Sequence, residues 1–250
     1  MESNLSRQRA AKSQQRHNMA QQENTISFNQ AKPVKSRPVN LVPRTRNQER
    51  LVLALQNDSE HIVITTGPAG TGKTYICMLA AVKALKEGAC ERIIMTRPAV
   101  EVAEEKHGFL PGNLVAKMEP WTRPLLDVLR EYYRPQDILS MIEDGIIEIA
   151  PLAYMRGRTF KDAWIIADEM QNGTPSQCKM LMTRIGKNSK IAITGDIEQA
   201  DRTRGDNGLG DLVNRLQQQG GVKGIALCEF DHRDIQRHPI IGSVLELYSD

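Results

Sequence analysis

The octapeptide Gly67, Pro68, Ala69, Gly70, Thr71, Gly72, Lys73, Thr74 constrains this chain more than any other feature. It has the form GxxxxGK[ST]. An apolar run, His61–Thr66 (HIVITT), precedes it. Thr71–Lys86 follows, with Ile76, Leu79, Ala80, Val82, Ala84 and Leu85 at helical spacing and Gly88 as a fitting stop. A glycine-rich turn between a strand and a helix lets backbone N–H groups converge on one point, and the helix N-terminus adds partial positive charge. Such a loop cradles phosphates. All eight residues are expected at a nucleotide, with Lys73 reaching the β- and γ-phosphates and the Thr74 hydroxyl ligating Mg²⁺.

The rest of the chain alternates in the same way. Arg92–Thr96, Ile146–Ile149, Ala163–Ala167, Lys190–Thr194 and Val222–Cys228 read as further strands. Asn47–Asn57, Gln136–Ile142, Ser176–Ile185, Asp206–Gln217 and Ile240–Leu247 read as helices, and Asn113–Tyr133 as a helical stretch interrupted by Pro120 and Pro124. Strands alternating with helices predict an α/β domain, a largely parallel sheet with helices on both faces.

Two other strand ends carry polar chemistry. Ala163–Ala167 (AWIIA) runs into Asp168 and Glu169. Ligand crevices of open α/β sheets lie at the carboxyl ends of strands. There Asp168 would hold Mg²⁺ and Glu169 would orient and deprotonate a water, which suggests hydrolysis rather than nucleotide storage. Ile191–Thr194 runs into Gly195, Asp196 and Gln199. Thr194 and Gln199 are placed to sense a γ-phosphate or a bound strand.

Charge is uneven along the 250 residues. Residues 1–46 hold nine Lys/Arg against Glu2 and Glu23, a net +7, and the remaining 204 residues carry −4. A basic arm on a mildly acidic body suits phosphate contacts to nucleic acid, although a solubilising tail has the same composition. Residues 1–40 have few large apolar side chains and are expected to be disordered, ahead of a domain over 41–250. Cys77, Cys90, Cys178 and Cys228 form no CxxC pair, which argues against a zinc or disulfide framework and for a reducing cytosol. No apolar run approaches a membrane span, and the polar start is not expected to act as a secretory leader. His232 and His238, with Asp231 and Asp234 nearby, have no diagnostic metal spacing.

The three strand-end motifs, in order, resemble motifs I, II and III of superfamily-one helicases. Thr96-Arg97-Pro98-Ala99, Gly108-Phe109-Leu110-Pro111-Gly112, Arg156-Gly157-Arg158-Thr159, Asp168-Glu169-Met170-Gln171-Asn172 and Arg237-His238-Pro239 are more specific. Together they resemble the PhoH family, the phosphate-starvation-inducible P-loop ATPases, over about residues 40–248. The bare core is similar to the short forms common in bacteriophages. Met170 departs from the smaller residue usual there.

The resemblance implies a RecA-like P-loop NTPase core that uses ATP and Mg²⁺, in the cytoplasm of a bacterial or phage-infected cell. It implies adenine reading by Gln48, catalytic roles for Lys73, Glu169 and Gln199, and an arginine finger or sensor at Arg237. Arg97, Arg156 and Arg158 become candidates for nucleic-acid contact. RNA or single-stranded DNA is the implied partner, without a membrane. A single core must hydrolyse slowly or borrow a group from a neighbour, because a missing arginine finger typically costs about 10³–10⁵ in rate. That favours a ring, a hexamer in related proteins. An ATP-using kinase fits the motif set less well. An ATP-gated scaffold for a nuclease or other partner is the alternative. Some relatives are fused to a PIN ribonuclease domain, but residues 1–46, with two acids, could not supply its metal site.

Overall fold

The apolar runs become six strands of one parallel sheet: β1 (Ile62–Thr66), β2 (Arg92–Arg97), β3 (Ile147–Pro151), β4 (Ala163–Ala167), β5 (Lys190–Gly195) and β6 (Ile225–Glu229). Their spatial order is β3-β2-β4-β5-β1-β6, with every pairing parallel. The computed structural model describes residues 37–98, 123, 126–199 and 207–236. The disordered tail expected over 1–40 lies almost wholly outside the described residues. So do most of the stretch expected over 113–133 and the helix expected over 240–247.

Strand periodicity splits the core into two layers. On one side Val63, Ile93, Met95, Trp164, Ile166 and Ala192 pack under α1 (Arg46–Gln56) and α2 (Lys73–Lys86), with Leu129 and α3 (Pro135–Glu143). On the other, Ile62, Ile64, Ile94, Ile165, Ile191 and Ile193 pack under α4 (Pro175–Met182) and α5 (Gly208–Gln218). The central strands β1 and β4 are buried along their whole length, as a sheet covered on both faces requires. Val39 also reaches the core, ahead of α1.

Three boundaries differ from expectation for local reasons. The helix after the glycine loop begins at Lys73, because Gly72 sits in the left-handed region at φ 84°. The helix expected to Ile185 stops at Met182, and Ile185 pairs with Phe160 instead. The last strand begins at Ile225, because Val222 folds back on it across a turn.

Register brings the polar strand ends level. Thr66 lies beside Gly195 across β1 and β5, and Ala167 beside Ile193 across β4 and β5. The loop after β1, the acids after β4 and the turn after β5 therefore emerge side by side. The strand bearing the glycine loop and the strand bearing the acids are separated by one strand, β5, which is the RecA-like arrangement.

Candidate functional site

The loop from Gly67 to Gly72 is held open by its glycines and pinned from behind. Gly67 adopts φ 134°, and a Cβ there would lie 2.4 Å from the Phe230 carbonyl oxygen, so no side chain fits. Thr71 donates its hydroxyl to the Pro68 carbonyl at 3.0 Å. Gln48 is 4% exposed. Its Nε2 donates to the Thr71 carbonyl at 2.9 Å, and its Oε1 accepts the Arg44 N–H at 2.7 Å. The residue expected to read adenine thus uses its amide here to brace the phosphate loop.

Lys73 opens α2 and folds back over the loop, donating to the carbonyls of Gly67 at 2.6 Å and Pro68 at 2.7 Å. Burial pushes its ammonium below the ordinary lysine value, while Asp196, Glu169 and Asp168 pull it back up. The three carboxylates line the same cavity as the lysine.

Asp168 Oδ1 accepts two hydroxyls, from Thr74 at 2.8 Å and from Thr194 at 2.5 Å. The ends of β4 and β5 and the first turn of α2 meet at that oxygen. Glu169, immediately after, sits in the left-handed region at φ 55°, ψ 38°. A non-glycine residue there stores strain of about 1–3 kcal/mol, a feature that clusters at functional sites. Gln171, 2% exposed, donates to Glu169 Oε2 at 2.5 Å and accepts the Asp196 N–H at 3.1 Å. Sequence reasoning placed Gln171 in a motif but gave it no role. Its position two residues beyond the acid pair was the available signal.

A cavity of about 350 Å³ opens between these elements, and Lys73, Thr74, Tyr75, Asp168, Glu169 and Gln199 are among the residues lining it. Gln199 is exposed at its rim. Tyr75, 45% exposed, adds an aromatic face that the sequence reading did not single out.

The arginines fall differently. Arg237 lies outside the described residues; the N–H of Gln236 donates to the Gly70 carbonyl at 2.9 Å. Arg97 ends β2, half-buried, and Arg156 is exposed after β3. Arg158 is committed: its guanidinium takes both oxygens of Glu148, Nη2 to Oε2 at 2.7 Å, and lies 4.5 Å over the Phe160 ring. Asp231 and Asp234 have local partners. Arg233 pulls the Asp231 carboxyl down to about 2, and Asp234 accepts from Asn47 at 2.7 Å.

A parallel sheet of this order, a glycine loop opening a helix and an acid-ended strand one strand removed from it define a P-loop NTPase core of RecA-like type. Within that class the chain belongs to the PhoH-like protein family, whose model matches residues 40–249. It is 47% identical over 206 residues to a PhoH-like protein of Bacillus subtilis (strain 168), covering 82% of this chain and 63% of the relative. It is 39% identical over 207 residues to protein PhoH of Escherichia coli (strain K12), covering 82% of this chain and 57% of that one. The chain spans about 60% of the length of these relatives. Among solved structures, the helicase domain of Pyrococcus furiosus Hef aligns at TM-score 0.44 and 13% identity, over 77% of this chain and 39% of that one. Among the described residues no helix is long and apolar enough to cross a membrane.

Proposed function

We propose that this core hydrolyses ATP with Mg²⁺ and couples turnover to binding or remodelling RNA or single-stranded DNA. One observation carries the reading: Lys73 and Thr74 at the start of α2, Asp168 and Glu169 after β4 and Gln199 after β5 line one cavity beside a phosphate-binding loop.

The donor set suits the metal. A threonine hydroxyl and a carboxylate, already in contact at 2.8 Å, are hard oxygen ligands. Mg²⁺ typically takes one or two carboxylates and completes its shell with water and substrate phosphates. Thr74 and Asp168 would hold it. When bound, it supplies positive charge against the β- and γ-phosphates.

The chain's own groups do the remaining work. Backbone N–H groups of the glycine loop bind the phosphate oxygens. Lys73 exchanges the Gly67 and Pro68 carbonyls for phosphate oxygen and offsets charge as the γ-phosphoryl group departs. Glu169 orients the attacking water and takes its proton as the phosphorus–oxygen bond to ADP breaks. Gln199 contacts the γ-phosphate or the polymer from the rim. Arg97 and Arg156 offer phosphate contacts at the carboxyl edge of the sheet. Further transition-state charge is met by an arginine, either Arg237 of the same chain or one from a neighbouring subunit of a ring. A monomer by light scattering with ATP present, fully active at high dilution, would remove the ring.

The test is phosphate release from ATP with Mg²⁺, for the native chain and Lys73→Ala, with and without single-stranded RNA or DNA. Release that rises with a strand and vanishes in Lys73→Ala is the expected result. ATP binding without release under any condition would instead favour an ATP-gated scaffold.

A further inference from the structure

We propose that Gln171 is a positioning residue that fixes the Glu169 carboxylate and ties it to the loop leaving β5. The proposal rests on the hydrolysis reading above and names a residue through which Glu169 acts.

The geometry is specific at both ends of the Gln171 side chain. Nε2 donates to Glu169 Oε2 at 2.5 Å, and Oε1 accepts the Asp196 N–H at 3.1 Å. One end needs a donor and the other an acceptor, at the fixed separation of a primary amide. Glutamine meets both demands. Glutamate would keep the acceptor and lose the donor, and methionine would fill the space and lose both.

The surroundings are shaped to admit that amide. Gly195, the last residue of β5, has no room for a side chain: a Cβ would lie 2.5 Å from both Gln171 Oε1 and Leu209 Cδ2 and 3.2 Å from the Gln171 nitrogen. Met170, Gln171 and Asn172 form a short buried 3-10 turn directly after Glu169. Glu169 enters that turn in a left-handed conformation, so its backbone is already committed. What remains free is the side chain, and the Gln171 amide holds it.

A buried amide is an expensive filler. Left unpaired, each polar end would cost about 1–3 kcal/mol, and an apolar side chain of the same shape would avoid the risk. The amide earns its place by direction. It joins the acid after β4 to the Asp196 backbone, in the same turn that carries Gln199 to the cavity rim. A displacement of that turn by γ-phosphate or polymer is thereby transmitted to the group that orients water.

The experiment compares kcat and KM for ATP in the native chain, Glu169→Gln, Gln171→Glu and Gln171→Met, with nucleotide affinity measured using a non-hydrolysable ATP analogue. Native turnover that is lost in Glu169→Gln establishes the hydrolysis reading first. Gln171→Glu and Gln171→Met are then expected to lower kcat about 10–100-fold, because roughly 1 Å of misplacement can cost 10²-fold. KM and analogue affinity should stay within about 3-fold, since neither end of the amide belongs to the phosphate loop. A Gln171→Glu enzyme with native kcat would overturn the proposal, because the Asp196 bond alone would then suffice. If both Gln171 variants fail to fold, Gly195→Ala, combined with Leu209→Ala to relieve the 2.5 Å approach to Leu209, crowds the same amide and leaves both acids intact. The same kcat loss at constant KM supports the proposal, and native kcat overturns it. An inactive native chain that still binds ATP removes the hydrolysis reading itself, an outcome distinct from an active chain indifferent to Gln171.

Discussion

Each end of the sheet holds a lysine that donates to two backbone carbonyls, Lys73 buried and Lys190 half-buried, and the two are built for different ends. At the carboxyl end Lys73 bonds to Gly67 and Pro68. At the amino end Lys190 bonds to Leu55 at 2.6 Å and Asn57 at 2.9 Å, closing the last turn of α1. Burial lowers both ammonium groups below the ordinary lysine value. The difference lies in what surrounds them. Lys73 shares a cavity with Asp168, Glu169 and Asp196, and its carbonyl partners belong to a glycine loop. Lys190 lies 5.4 Å over the Trp164 ring with Asp58 and Glu60 in its field, and its carbonyls belong to a helix end. A cavity of about 860 Å³ lies beside it, larger than that at the phosphate loop. Volume therefore does not mark the site. The convergence of two strand ends and the start of α2 on the Asp168 oxygen does.

The largest expected effect breaks the symmetry at Lys73. Lys73→Ala should lower ATP turnover by at least about 10²-fold, the scale of removing one transition-state donor. Thermal unfolding without nucleotide should move by only a few degrees, because its carbonyl partners lie in a loop beside the open cavity. A large loss of stability would make Lys73 a scaffold residue like Lys190.

Lys190→Met should give the reverse pattern. Two charge-assisted hydrogen bonds are lost at the end of α1, at a cost of about 1–3 kcal/mol, with turnover within 2-fold of native. The pH dependence has a definite sign. The folded Lys190 value lies below the unfolded one, so between them the unfolded chain binds more protons. This lysine's contribution to stability therefore rises as pH climbs through the lowered value toward about 10.4. Lys190→Met lacks that rise, so native stability should gain on the variant in alkaline buffer. Denaturant midpoints at pH 7 and pH 10 measure it. A parallel shift of both proteins would sink the assignment.

What was legible in the sequence follows the same division. The phosphate loop, Asp168 and Glu169 stand at the ends of apolar runs, so local pattern placed them on strands and strand order brought them together. Six strands and the helices between them were legible for that reason. Gln171 and the brace at Gln48 were not, because their partners are distant in sequence: Asp196 lies 25 residues beyond Gln171, and Thr71 lies 23 beyond Gln48. A buried amide looks like any other glutamine until the fold supplies its partners. Helix ends at Lys73 and Met182 were misjudged by two or three residues, because left-handed Gly72 and the Phe160–Ile185 pairing override a continuous apolar period.

The smallest effect separates two arginines that the sequence treats alike. Arg156 is exposed after β3, whereas both Glu148 oxygens and the Phe160 face occupy the Arg158 guanidinium. Freeing Arg158 for a phosphate would leave a half-buried carboxylate behind, which offsets the new contact. Arg156→Ala should therefore weaken RNA or single-stranded DNA binding several-fold and reduce the salt dependence of affinity by about one phosphate contact, roughly 0.7 in the log–log slope. Arg158→Ala should leave that slope unchanged and lower the melting temperature by a few degrees through the lost pair and stack. Binding titrations at several salt concentrations decide between them. Equal slopes for Arg156→Ala and the native chain, with a reduced slope for Arg158→Ala, would mean that the Glu148 pair opens when the polymer binds.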